Sequence, residues 1–146
     1  MTYINSGNIL FESEEEIVHI VEELETLFEQ EYNFPILFTL LTEEMVSKDL
    51  FPDWWEDEIA RRDVLFLTKG LDMDEVRQAL SSFPLQDEKI FFGKYAIFWG
   101  KYQESSYLQT SYHKLLIKQP FYKQLTIRNG NTYTKIREIL EKRNNG

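Results

Sequence analysis

The sequence predicts an α+β fold built from two β-α-β-β-α-β units in tandem, the first incomplete, with a helix at the C-terminus. Three observations lead there. Residues 64–128 alternate β-prone and helix-periodic stretches in the order β-α-β-β-α-β, the split βαβ or ferredoxin-like order. The stretch before residue 49 reads β-β-α-β, the same order without its first strand and helix. Hydrophobic residues make up 42% of the 146-residue chain and aromatics 15%, ample for a packed core. The element order suggests an internal duplication, which no residue-level repeat accompanies. The expected divisions are residues 1–48 for the incomplete first unit, 49–62 for a connector, and 63–146 for the second unit with its C-terminal helix.

Residues 2–5 and 8–12 are β-prone, with Ser6-Gly7 as a turn or bulge between them. Ser13 followed by Glu16 reads as a capping box. Ile17, Ile20, Val21, Leu24, Leu27 and Phe28 then recur at helical spacing, which predicts one buried face, while Glu15, Glu22, Glu25 and Glu29 occupy the other. Asn33 to Pro35 ends that helix, and the apolar run ILFTLL (36–41) predicts a buried strand. Thr42 caps a short helix through Ser47 or Lys48. In the connector, Pro52 breaks regularity, and Trp54 and Trp55 need a surface to cover them.

In the second unit, VLFLT (64–68) is a strand. Asp72 and Glu75 form the capping box of a helix whose apolar stripe is Met73, Val76 and Leu80, closed by Phe83-Pro84. KIFFG (89–93) and YAIFWG (95–100) flank a Gly93-Lys94 hairpin turn. Ser105 or Ser106 caps a helix reaching Lys118, and LTIR (125–128) is the last strand. The final helix, Thr132 to Lys142, turns Tyr133, Ile136, Ile139 and Leu140 inward, and the tail Asn144 to Gly146 frays.

The chain has no cysteine, which excludes disulfides, thiol nucleophiles and thiolate metal sites and fits a reducing cytoplasm. Met1 leads straight into a strand-like pattern, with no signal peptide in view and no apolar run of membrane-spanning length. A net charge of −9 argues against general nucleic-acid binding. The charge is segregated: residues 1–60 hold 16 acidic residues and one lysine, whereas residues 101–146 hold 9 basic residues and 3 acidic. That pattern fits either attraction between the two halves or a basic surface that meets an anion.

The passage TIRNGNTYTK (126–135) carries the best candidate site. A strand that ends where a helix begins aims free backbone N–H groups and the positive end of the helix dipole at one point. Arg128, Asn129, Asn131, Thr132, Thr134 and Lys135 surround that point and could cradle a phosphate or carboxylate. The same residues also fit a structural role: Thr132 as the cap, Asn129 and Asn131 as turn formers, and Arg128 as partner of an acid from the N-terminal half. His113 joins the candidate ligand-binding set because Tyr112, Lys114 and Lys118 give it a cationic neighbourhood.

Other features favour structural readings. Ser6-Gly7-Asn8 has no histidine or acid spaced to activate a hydroxyl. His19 lies at the edge of a helix stripe, and two histidines without cysteine make no transition-metal site. Asp53, Glu56 and Asp57 would share a helix face but read as a solvated surface, and no calcium-loop pattern is present. The aromatic strands 89–100 faintly echo base-stacking sheets, yet core packing explains them better.

TYINSGNILFES (2–13), RRDVLFLT (61–68), the FGKYAIFWGKY hairpin (92–102) and TIRNGNTYTKIREIL (126–140) together resemble the bacterial domain-of-unknown-function 1697 family, whose members show TYxxSGNxxF early and T-x-R-N-x-x-T-x-x-K-L late. The resemblance spans almost the whole chain. It implies a preceding strand and helix with a glycine-containing segment, absent here, so the start looks truncated. Gly130 stands where the family often has Trp, which implies a looser turn and a lost aromatic contact. The family carries no established activity, so the resemblance sharpens fold and not function.

Three function classes follow as expectations. The first is binding of a small anionic ligand at the 128–135 turn. The second is a structural or protein-interaction module, with Trp54, Trp55 and the open edge of the first unit as contacts and a homodimer through that unit. The third is an enzyme acting on a phosphorylated or nucleotide-like substrate, for which His113 is the one nominated base. No cofactor, metal, nucleic acid or membrane is expected as a partner, and the expected compartment is the cytoplasm.

Overall fold

The structure, a computed structural model, describes residues 2–3, 8–34 and 36–145. The elements run β1 (Thr2–Tyr3), β2 (Asn8–Ile9), α1 (Ile17–Glu31), α2 (Glu43–Lys48), β3 (Arg61–Leu67), α3 (Met73–Ser81), β4 (Glu88–Phe92), β5 (Ala96–Lys101), α4 (Ser111–Lys114), β6 (Leu125–Asn129) and α5 (Gly130–Asn145), with short 3-10 turns flanking α4 and preceding β6. One all-antiparallel sheet of four strands dominates, in the spatial order β4-β5-β3-β6. β1 and β2 form a separate antiparallel pair. Ser6-Gly7, Pro35 and Gly146 lie outside the described residues.

Alternation along β3 and β5 sends side chains to both faces of the sheet, and both faces are covered. On one face Val64, Phe66, Ala96 and Phe98 pack with Val46, Trp55 and Tyr133, so α2, the 49–62 segment and α5 cover that side. On the other, Leu65, Ile97 and Trp99 pack with Val76, Leu80, Tyr112 and Leu116, from α3 and the α4 region. β5 is therefore buried along its whole length. The 49–62 segment is part of the first core: Trp55 is buried, stacked on Phe51 at 5.7 Å and edge-on to Phe98 at 5.3 Å. This removes Trp55 as an exposed contact, and only Trp54 stays half-buried beside it.

Several local expectations hold. Thr42 accepts the Met45 amide at 3.1 Å and starts α2. Asp72 caps α3 through the Asp74 amide at 3.2 Å, and Val76 and Leu80 are buried. The Gly93 amide closes the hairpin on the Ala96 carbonyl at 2.8 Å. The buried Asp49 carboxylate locks that turn, accepting from the Lys94 and Tyr95 amides at 2.5 and 2.8 Å.

Others need correction. Glu16, not Ser13, precedes α1 as its N-cap without a side-chain bond; the Ser13 hydroxyl accepts the Glu15 amide instead, which forms a local turn. No residue of α1 is fully buried, because its apolar face lies along an open cleft. The helix expected from Ser105 to Lys118 is broken into a 3-10 turn, the four-residue α4 and another 3-10 turn. Thr110 causes the break, since its side chain caps α4 through the His113 amide at 3.3 Å. ILFTLL is not a strand: residues 36–41 carry no ladder, and Leu37 is 52% exposed. Strands form by pairing, and no described strand pairs with this run, which is hydrogen-bonded to β6 and the end of β3 through the Thr39 side chain.

Candidate ligand-binding cleft

The last strand and helix place the residues of the 126–135 passage. In β6, Arg128 pairs across from Val64 and Asn129 from Asp63, so Arg128 and Thr126 point to the α5 face while Ile127 and Asn129 point to the other. α5 opens at Gly130, earlier than Thr132, because Asn129 is the effective cap: its Oδ1 accepts the Asn131 amide at 2.8 Å. Asn129, Asn131 and Lys135 are exposed and Thr132 is half-buried. Arg128 is half-buried on the α5 face, and Asn129, Asn131 and Lys135 stand at the exposed end of that helix.

Gly130 is a close approach. A Cβ there would stand 2.5 Å from the Arg62 Cβ and 2.9 Å from the Trp55 indole. Arg62 and Trp55 crowd this position, and an aromatic neighbour is supplied there by Trp55.

Arg128 instead reaches into a cleft of about 620 Å³ bounded by α1, residues 36–43 and α5. Its Nε donates to Asn8 Oδ1 at 2.8 Å and its Nη1 to the Ile127 carbonyl at 2.9 Å. Burial pulls the guanidinium below its ordinary pKa, with no carboxylate offsetting that pull. Arg128 is in none of the ion pairs among the described residues, so the expected salt bridge to the acidic half is not formed. Apolar side chains such as Ile20, Phe28, Phe38, Phe66 and Ile136 line the walls, and the exposed Glu12, Glu15 and Glu43 stand among the lining residues. Thr39 ties the 36–43 segment to the sheet through Thr126 Oγ1 at 3.0 Å.

His113 lies elsewhere. It belongs to α4, which packs through Tyr112 on the Leu65 and Trp99 face, so the sheet separates it from Arg128. Its ring sits 5.5 Å from Tyr107. That face also holds a buried polar network that no sequence motif marks. The Lys101 ammonium, 1% exposed, pairs with Asp63 and lies 3.6 Å from the centre of the Tyr112 ring. Beside it the Glu88 carboxylate accepts from Trp99 Nε1 at 2.8 Å and from the Ser111 amide at 2.6 Å. Burial lowers the Lys101 pKa and raises that of Tyr112 far above the phenol range. These groups are shut away from solvent and hold the end of the sheet to α4. Among the described residues no cluster of His, Asp and Glu is arranged for a metal, and no helix is long and apolar enough to cross a membrane.

Residues 1–98, from the first hairpin to the middle of β5, match the family described as Protein of unknown function (DUF1697). The chain belongs to this family. Among solved structures it is similar to the conserved bacterial protein SP0830 from Streptococcus pneumoniae, at 47% identity and a TM-score of 0.89, over 96% of this chain and 79% of that one. No curated protein matches it. For the DUF1697 family, then, the likeness extends the fold to a conserved bacterial protein and leaves the chemistry to the cleft. Sequence reasoning named Arg128 but missed the 36–43 wall, because an apolar run of strand composition carries no signal that it will stay unpaired.

Proposed function

We propose that this protein is a binding module whose site is the Arg128 cleft, taking a ligand with an apolar body and a single anionic group. The observation that carries this is a half-buried guanidinium without a carboxylate partner, set in a wall of apolar side chains. A desolvated charge is costly unless an opposite charge meets it. A carboxylate reaching Arg128 would make the missing pair, and the apolar walls would take the rest of the ligand. The volume falls within the range of roughly 300–1,000 Å³ usual for small-ligand sites. Glu12, Glu15 and Glu43 would repel a second anionic group, which disfavours nucleotides and sugar phosphates and therefore the enzyme reading built on them. The four-stranded order β4-β5-β3-β6 supports a ferredoxin-like arrangement of residues 61–129.

The test is a thermal-shift and calorimetric titration with decanoate, decanol and inorganic phosphate, on the parent chain and on Arg128→Gln. Decanoate should stabilise the parent chain, with decanol and phosphate much weaker, and Arg128→Gln should lose the difference between acid and alcohol. Equal response to decanol and decanoate in both chains would overturn the role of Arg128.

A further inference from the structure

The sheet has an open edge on the side away from the cleft. β4 ends the order β4-β5-β3-β6, whereas the 36–43 segment is tied to the opposite edge, at Thr126 of β6. Main-chain hydrogen bonds fix which way each β4 residue points. The Tyr102 amide donates to the Asp87 carbonyl and the Gly93 amide to the Ala96 carbonyl, both at 2.8 Å, so the odd-numbered residues of β4 bond to β5. In an antiparallel ladder the bonding direction alternates from residue to residue, so the N–H and C=O groups of Glu88, Ile90 and Phe92 point out of the open edge. Among the described residues β4 pairs with β5 alone. Lys89 and Phe91 alternate with that row on the face that α2 and Trp55 cover. Phe91 lies across from Phe98 and is 40% exposed; Lys89 lies across from Gly100, which Trp54 covers. Leu50, between Asp49 at the hairpin and Phe51 against Phe98, is 71% exposed. Glu88 is buried, so Lys89 is the charged side chain that β4 exposes, in a chain whose net charge is −9.

We infer that β4 is a self-association edge: a second copy of this chain pairs its own β4 antiparallel to it, about a two-fold axis at Ile90. This goes beyond the cleft reading and stands apart from it. An added strand takes its main-chain bonds from the outward row, and a two-fold axis makes the contact isologous. Symmetry and side-chain alternation leave three registers that overlap most of the strand, centred on Lys89, Ile90 or Phe91. The first sets Lys89 against Lys89, and like charges directly opposite are destabilising. The third asks Glu88 to pair with Lys94, whose amide is already held by the Asp49 carboxylate at 2.5 Å. Centred on Ile90, Ile90 bonds to Ile90 of the second copy and Glu88 bonds to Phe92 on either side, so the whole outward row is satisfied. The same register sets each Lys89 opposite Phe91 of the other copy, an ammonium against an aromatic ring, and brings the exposed Phe91 side chains beside the axis. Lysine on an edge strand discourages most pairings; here it selects one. A five-residue edge makes a small interface, so the dimer belongs to the transient class.

The experiment reads the dimer in the intact chain by sedimentation equilibrium up to millimolar concentration. It reads the register by disulfide trapping, which a chain without cysteine permits free of background. The parent chain should dimerise reversibly. Phe91→Lys, which sets lysine against Lys89, should weaken the dimer by about tenfold or more. Phe91→Glu, which offers Lys89 a carboxylate, should hold or tighten it. Circular dichroism checks that both variants fold. Equal losses in the two would mean a plain apolar patch and would overturn the register. Lys89→Cys and Phe91→Cys, each oxidised alone in a glutathione buffer, should stay uncrosslinked, and their equimolar mixture should form the mixed disulfide. A parent chain that stays monomeric at millimolar concentration, or a mixture that yields no mixed disulfide, would overturn the inference.

Discussion

Replacing Glu88 with glutamine tests how the sheet is fastened to α4. The Glu88 side chain is buried, and its two oxygens meet four donors: Ser111 and Gln86 amides at 2.6 and 3.4 Å on Oε1, and Trp99 Nε1 and the Tyr112 amide at 2.8 and 3.3 Å on Oε2. Glutamine keeps the volume but presents an NH2 on one side, so at least one strong donor, Ser111 N–H or Trp99 Nε1–H, loses its acceptor. Hydrogen bonds to a charged group contribute about 1.5–3 kcal/mol, and a donor left unmet in the interior costs about 1–3 kcal/mol. The two overlap, so Glu88→Gln should cost about 2–4 kcal/mol. For a chain of this size that lowers Tm by roughly 5–15 °C. Urea unfolding at pH 7 gives the free energy, and pairing the change with Trp99→Phe isolates the indole bond, with an expected coupling of about 1 kcal/mol. A loss under about 0.5 kcal/mol would mean that water reaches these donors as readily as the carboxylate does, the usual outcome at an open surface.

Gly130→Ala should destabilise by about 1–3 kcal/mol, as overpacking does, because the new methyl meets Arg62 and Trp55; urea unfolding checks it, and a neutral or stabilising result would show that α5 shifts freely. Above about pH 10 the unfolded chain releases phenolic protons that Tyr112 and Tyr133 keep when folded, since burial raises both, so stability falls as pH climbs past that value. Tyr112→Phe should flatten that fall in urea unfolding at pH 9–11, and an unchanged slope would refute it. Glu25→Gln removes the exposed pair with Lys69 at 3.0 Å and should change stability by less than about 0.5 kcal/mol at low salt.

The stretch from residue 63 to residue 101 was readable because each signal was local and agreed with its neighbours. Asp72 before an amphipathic run, Gly93 between two aromatic strands, and an alternating 64–68 stretch each specify one conformation without help from afar. The reading of the stretch before residue 49 failed where the answer depended on partners. Residues 36–41 have strand chemistry, but a strand is a pairing, and which edge is available is a property of the whole fold. Likewise the 105–118 helix was interrupted by one hydroxyl, at Thr110, whose preference for capping competes with helix continuation. At the candidate site, the residues around 128–135 were named from their side chains, and the alternation of β6 then divided them. Arg128 went to one face and Asn129 to the other, while His113 was placed beyond the sheet by the helix that carries it.

That division changes what the charged residues imply. Asn129 caps the α5 N-terminus through the Asn131 amide, and none of the ion pairs among the described residues includes Arg128. The guanidinium is left with an amide oxygen and its neighbour's carbonyl, both weaker partners than a carboxylate. Apolar side chains line the same cleft. Each feature alone would be a local imperfection: a lone arginine can be solvated, and an apolar wall can be loosely packed. Both open into one cleft, and a carboxylate on an apolar body would satisfy both at once. Arg128→Gln should then remove the preference for decanoate over decanol while leaving the weaker response to decanol unchanged, and a preference that survives the substitution would show that the charge is met elsewhere.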